Sequence, residues 1–304
     1  MRVSGGTQLS DRGRRPRTAD PRSTAHPRCD PPVLGKSLRG GYRAGCHERR
    51  PAAVDGFVQQ VVAATCGHLY KPLTGRLARY PIPELPLSHG DGGVLLDLGC
   101  NWGRWTVAAA RRGWRAVGID PDLDAILAAG RVARELGVAA AFIVADARWL
   151  PFASHAFDAV FSYSVLQHFG RKDVETALAE VSRVLKSRGT SLVQMANRWG
   201  LRSSYHQLRR GFREARSFEV RYWTPGELRA VFSRHLGPTV VTADAYLGLG
   251  LQRSDIDLLP RRYQLVVRAS QVLKACGRVA PWMTVFADSL YVRSTVSAES
   301  DVRE

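Results

Sequence analysis

The 304-residue sequence predicts a doubly wound α/β fold, a mostly parallel sheet of seven strands with helices on both faces. Three observations lead there. Strand-like and helix-like segments alternate with short connections from residue 94 to about residue 195. The first strand ends in a glycine-bearing turn that runs directly into a helix. Aspartates stand at or just beyond the ends of the first three strands, at Asp97, Asp120 and Asp146.

Residues 1–52 hold eleven Arg and one Lys against three Asp and one Glu, a formal charge of +8 out of the chain's +17. Rich in Arg, Pro, Gly and Ser and without apolar periodicity, this segment is predicted to be a disordered basic arm. A single domain over residues 53–295 follows, with a flexible tail at 296–304. Its first part, 54–80, is read as a helical cap from the apolar positions Phe57, Val61, Ala64, Leu69, Leu73 and Leu77. The prolines from Pro81 to Pro86 interrupt it.

The alternating region then supplies strands at 94–98, 116–119, 140–144, 158–163 and 191–195, with helices at 104–112, 123–136 and 173–186. Thr224-Pro225-Gly226-Glu227 announces a further helix, with Thr as cap, Pro in the first turn and Glu closing a capping box. Residues 240–245 and 288–293 complete the strands. Two irregular stretches, about 198–223 and 247–286, are expected to be helical lid insertions. In the second, Leu265, Val266, Ala269, Val272 and Leu273 form an apolar face with Arg268 and Lys274 opposite, and this face is expected to pack as a lid on the domain's own core.

Composition removes several function classes. Five cysteines, Cys29, Cys46, Cys66, Cys100 and Cys276, are scattered and include no Cys-x-x-Cys pair, so neither a disulfide framework nor a metal site is implied. No charged-then-apolar leader and no spanning apolar run appear, which predicts a cytoplasmic location. The basic arm leaves RNA as a partner to weigh. Against it, no Asn-Pro-Pro-Tyr or Asp-Pro-Pro-Tyr follows the fourth strand, and no Pro-Cys nucleophile occurs.

The run Asp97-Leu98-Gly99-Cys100-Asn101-Trp102-Gly103 brings backbone amides to the carboxyl edge of the sheet, where a nucleotide-type ligand binds. Its spacing is not the Gly-x-Gly-x-x-Gly that admits a dinucleotide pyrophosphate. Asp120, in Gly118-Ile119-Asp120-Pro121-Asp122, can accept both hydroxyls of a ribose. Asp146, in Val144-Ala145-Asp146-Ala147, falls where an adenine edge would lie.

With these residues the chain resembles the class I S-adenosylmethionine-dependent methyltransferases, Rossmann-like enzymes, and in particular their type 11-like small-molecule branch. Leu150-Pro151-Phe152, Phe157-Asp158-Ala159-Val160 and Leu185-Lys186-Ser187-Arg188-Gly189 extend the resemblance, which covers residues 90–195 well. It implies S-adenosyl-L-methionine as cofactor, held by Asp97, Gly99, Cys100, Asn101, Gly103, Asp120, Pro121, Asp146, Ala147 and Ser162. It implies in-line methyl transfer to a small-molecule, saccharide or lipid-like acceptor, with His168 as candidate base. Asn101 replaces the usual central glycine of the loop but tolerates left-handed backbone angles. The Arg and aromatic residues of Trp199 to Trp223 suit an anionic or aromatic acceptor, and the second insertion suits a lipophilic pocket or peripheral membrane contact. Two alternatives stay open: an RNA methyltransferase docking through its basic arm, and a cofactor-binding partner protein without catalysis.

Overall fold

Val94–Leu98 (β1) pairs on both sides, with Arg115–Asp120 (β2) and with Phe157–Ser162 (β4), and the sheet grows outward from this central strand. The computed structural model describes residues 54–65, 74–75, 77–248, 250 and 252–297. The basic arm, Leu69, Leu73 and the tail from residue 298 lie outside them. Ala140–Val144 (β3) borders β2; on the other side follow Leu185–Ala196 (β5), Ser289–Thr295 (β7) and Thr239–Ala245 (β6). The order is β3-β2-β1-β4-β5-β7-β6, with β7 antiparallel to both neighbours and the other pairings parallel.

The helices are Gly56–Thr65 (α1), Arg104–Arg111 (α2), Leu123–Glu135 (α3), Arg171–Val184 (α4), Leu201–Arg209 (α5), Pro225–Leu236 (α6) and Arg261–Val279 (α7). Alternation of side chains along β1 divides the core between the two faces. Leu96 and Leu98 pack with Leu178 and Val181 of α4 and Phe232 of α6, whereas Leu95 packs with Trp105 and Ala109 of α2. Val58 and Val62 of α1 close a third cluster around Trp102, Ala128 and Val132. The capping box of α6 is formed: the Thr224 hydroxyl accepts from the Glu227 amide at 3.2 Å, and the Thr224 amide donates to Glu227 at 2.8 Å.

Three expectations are corrected. Helix α4 stops at Val184 rather than Lys186, because Leu185 already pairs with Phe157. The turn-like Ser187-Arg188-Gly189 is absorbed as a bulge within β5, with Arg188 at φ 61°. Strand β3 is not covered on both faces: it is the sheet edge, and Ile143 and Val144 are exposed.

A fourth correction concerns α7, whose apolar face does not turn inward. Its buried residues are Val267 and Ser270, while Leu265 and Val272 face solvent. Polar contacts set this orientation. The Ser270 hydroxyl accepts from the Tyr246 amide at 2.9 Å, and Lys274 lies 4.0 Å from the buried carboxylate of Asp244.

Candidate functional site

At the carboxyl edge of β1 the backbone enters the left-handed region three times in five residues: Gly99 at φ 70°, Asn101 at 49° and Gly103 at 81°. Asn101 thus takes the conformation its side chain best tolerates, and its Oδ1 accepts from the Trp102 amide at 2.7 Å. The turn is tightly enclosed. A Cβ on Gly99 would lie 2.2 Å from Val165, and one on Gly103 would lie 3.0 Å from Ala129.

Two of the expected acids meet here. Asp97 is buried in β1 and accepts from the Thr106 hydroxyl of α2 at 2.7 Å. Burial, with the like charge of Asp120 adding to it, pushes its carboxyl up to about 7. Asp120, at the end of β2, accepts from the amides of Asn101 and Asp122, each at 3.0 Å, and burial raises its carboxyl as well. Among the described residues neither carboxylate has an ion-pair partner, so a negative spot, buried at Asp97 and half-buried at Asp120, lies beside the glycine turn. A cationic ligand would supply the missing counter-charge. Such a site fits the ammonium and sulfonium charges of S-adenosylmethionine.

The other expected contacts divide. Cys100 is buried with its thiol against Gly118, and its amide is spent on the Ile119 carbonyl at 2.8 Å. Ser162 is also turned away from the cleft: wholly buried, it donates to the Leu98 carbonyl at 3.1 Å and clamps β4 to β1. Pro121 is exposed beyond β2 and Ala147 is buried. Asp146 has a cationic partner of its own. Its carboxylate is gripped by Arg148 at 2.7 Å, which holds it below the usual carboxylate range, and Arg148 also reaches Asp173 at 3.3 Å.

His168 lies in a short turn after β4, Leu166–His168. Its Nδ1 donates to the Phe218 carbonyl at 2.8 Å, and the two rings stack with centroids 4.1 Å apart. Burial lowers its pKa from the ordinary 6.5, so at neutral pH the imidazole is uncharged with Nε2 as its acceptor atom.

Sequence reasoning missed a buried polar network at the same edge. Asp244 at the end of β6 accepts from the Tyr163 hydroxyl at 2.9 Å and from the Ser289 hydroxyl at 2.7 Å. Gln252 donates to Tyr163 at 2.6 Å, and Gln194 donates to Ser289 at 2.7 Å. Burial and the Asp244 charge push the Tyr163 phenol far up, so it acts as a fixed donor. The sequence signal was positional: each of these residues except Gln252 falls near a strand end on the carboxyl edge. A cavity of about 580 Å³ is lined by Gly170, Arg171, Arg198, Arg210, Arg221 and Tyr222 among others, and by none of the residues of this network.

Residues 95–189 match the sequence pattern of the family described as methyltransferase domain. A ubiquinone biosynthesis O-methyltransferase from Azorhizobium caulinodans is 30% identical over 158 residues, covering 52% of this chain and 56% of that protein. An uncharacterized methyltransferase from Schizosaccharomyces pombe is 38% identical over 120 residues, 38% of this chain and 43% of that protein. The chain spans about half the length of the curated relatives it matches. Among solved structures, a SAM-dependent methyltransferase from Methanosarcina mazei aligns with a TM-score of 0.49 at 18% identity, covering 69% of this chain and 94% of that one.

Proposed function

Because this chain carries a class I S-adenosylmethionine-dependent methyltransferase domain, we propose that it moves the cofactor's methyl group to a small-molecule acceptor seated under the 198–223 insertion. The observation that carries this is the pair of buried Asp97 and half-buried Asp120 beside the left-handed Gly99-to-Gly103 turn. When bound, the cofactor supplies a methyl group already activated on a sulfonium sulfur.

The protein's part is then alignment and proton handling. Asp97 neutralises the cofactor's positive charge, and Asp120 accepts from the ribose hydroxyls while keeping its bonds to Asn101 and Asp122. His168 Nε2 accepts the acceptor's proton, its ring held by Phe218. The cavity that starts two residues further on seats the acceptor.

That cavity favours an anion with an aromatic or planar body. Arg171 is stacked 4.3 Å over Trp223 and Arg210 lies 5.2 Å over Tyr222, so cations and aromatic walls alternate. Among the described residues no carboxylate pairs with Arg198, Arg210 or Arg221. Several relatives bear the name ubiquinone biosynthesis O-methyltransferase, which for this chain favours a hydroxyl-bearing small molecule.

The test is calorimetry with S-adenosylhomocysteine on the wild type and on Asp120→Ala, followed by untargeted detection of labelled product from extract and methyl-labelled cofactor. We expect binding that weakens at least about tenfold in the variant. Absence of binding in the wild type, or identical binding in the variant, would overturn the reading.

A further inference from the structure

We propose that the outer face of α7, continued by the turn Pro281–Phe286, docks on an anionic lipid bilayer. This stands apart from the methyl-transfer reading, since it rests on a surface that includes none of the cleft residues. Leu265, Val272 and Val279 are 64%, 63% and 89% exposed. They are seven residues apart and so lie on one stripe of the helix. Just past the helix end Trp282, 68% exposed, and Phe286, 47% exposed, add two aromatic side chains whose rings contact each other at 6.2 Å. Single exposed apolar residues are ordinary, but a continuous row of this kind marks an interaction surface.

Charge selects the occupant. From residue 261 to 279 the helix carries Arg261, Arg262, Arg268, Lys274 and Arg278 and no Asp or Glu. The four arginines are exposed beside the apolar stripe. A second copy brought to this face about a two-fold axis would set these cations against their own counterparts. The chain's first 52 residues, at +8, carry the same sign. Anionic headgroups have the opposite sign and attract each Arg near such a surface, while the aliphatic and Trp side chains enter the acyl boundary.

The helix is built to lie along the surface. No helix among the described residues is long and apolar enough to cross a membrane. On its inner side α7 is anchored to the domain by Ser270 on the Tyr246 amide, by Lys274 toward Asp244 and by Gly277, where a Cβ would meet the Tyr246 hydroxyl at 2.9 Å. The apolar row is therefore presented on a fixed support. Because Asp244 ends β6 on the same sheet edge as the glycine turn, docking holds the carboxyl edge of the sheet close to the lipid.

The test is co-sedimentation of the full chain with vesicles of phosphatidylcholine alone and of phosphatidylcholine mixed with phosphatidylglycerol. Binding is expected to the mixed vesicles only, and to fall at least about tenfold when salt is raised from low to near-molar levels. Leu265→Asp with Val272→Asp should abolish it, as should charge reversal of Arg261, Arg262 and Arg268. Unchanged unfolding midpoints and S-adenosylhomocysteine affinity show that these variants remain folded. No affinity for mixed vesicles, equal affinity in the Asp variant, or a solution dimer that Val272→Asp splits without any vesicle binding would each overturn the proposal.

Discussion

The guanidinium of Arg104 lies 3.0 Å from the carboxylate of Asp255, and both groups are almost wholly withdrawn from solvent. Arg104 is the first residue of α2, directly after Gly103, and Asp255 belongs to the second insertion. A buried ion pair therefore joins the loop that forms the cleft to the segment that covers it. Deleting one partner leaves the other charge in a dry environment. Arg104→Met is expected to cost about 3 kcal/mol in urea unfolding, and adding Asp255→Leu should recover part of that loss.

Asp97 makes stability depend on pH with an unusual sign. Its carboxyl is raised from 3.8 to about 7, so between these values the folded protein holds a proton that the unfolded chain has released. Stability of the cofactor-free protein should fall as pH rises through that window and level off above it. Asp97→Asn should flatten the slope, as read from urea midpoints across the window. Binding of S-adenosylhomocysteine, whose ammonium favours the ionised carboxylate, should release protons near pH 7. Calorimetry in buffers of different ionisation enthalpy checks this.

At Gly99 a methyl group would strike Val165 at 2.2 Å, on a backbone held at φ 70°. Gly99→Ala should cost about 1–3 kcal/mol and abolish cofactor binding. Adding Val165→Ala relieves the collision only, leaving about 1 kcal/mol of left-handed backbone penalty in the unfolding curve.

His168 is the acceptor of the proton in the proposed transfer, and its lowered pKa fixes the shape of the rate profile. The acidic limb of kcat/KM should fall at a pH below 6.5. His168→Ala should lower kcat by about a hundredfold or more and leave S-adenosylhomocysteine affinity unchanged.

The sheet was readable in the sequence because each strand end is written locally: the glycine turn after β1, Asp120 after β2 and the capping box before α6 depend on neighbours within a few residues. Asn101 was readable for the same reason, its side chain being suited to φ 49°. Misread features depend on distant partners. Lys274 turns inward because Asp244, thirty residues earlier, lies beneath it, and no periodicity within α7 encodes that. The network of Tyr163, Asp244 and Ser289 joins three strands that meet only after folding. The pairing of Asp146 with Arg148, by contrast, spans only two residues.

The position of β7 bears on how the protein is made. This strand, later in the chain than β5 and β6, is inserted between them. During synthesis β6 therefore emerges with no sheet neighbour to receive it, and β5 presents a naked ladder of amides and carbonyls until residues 289–295 leave the ribosome. Nascent chains halted between the two strands should be the species that chaperones retain.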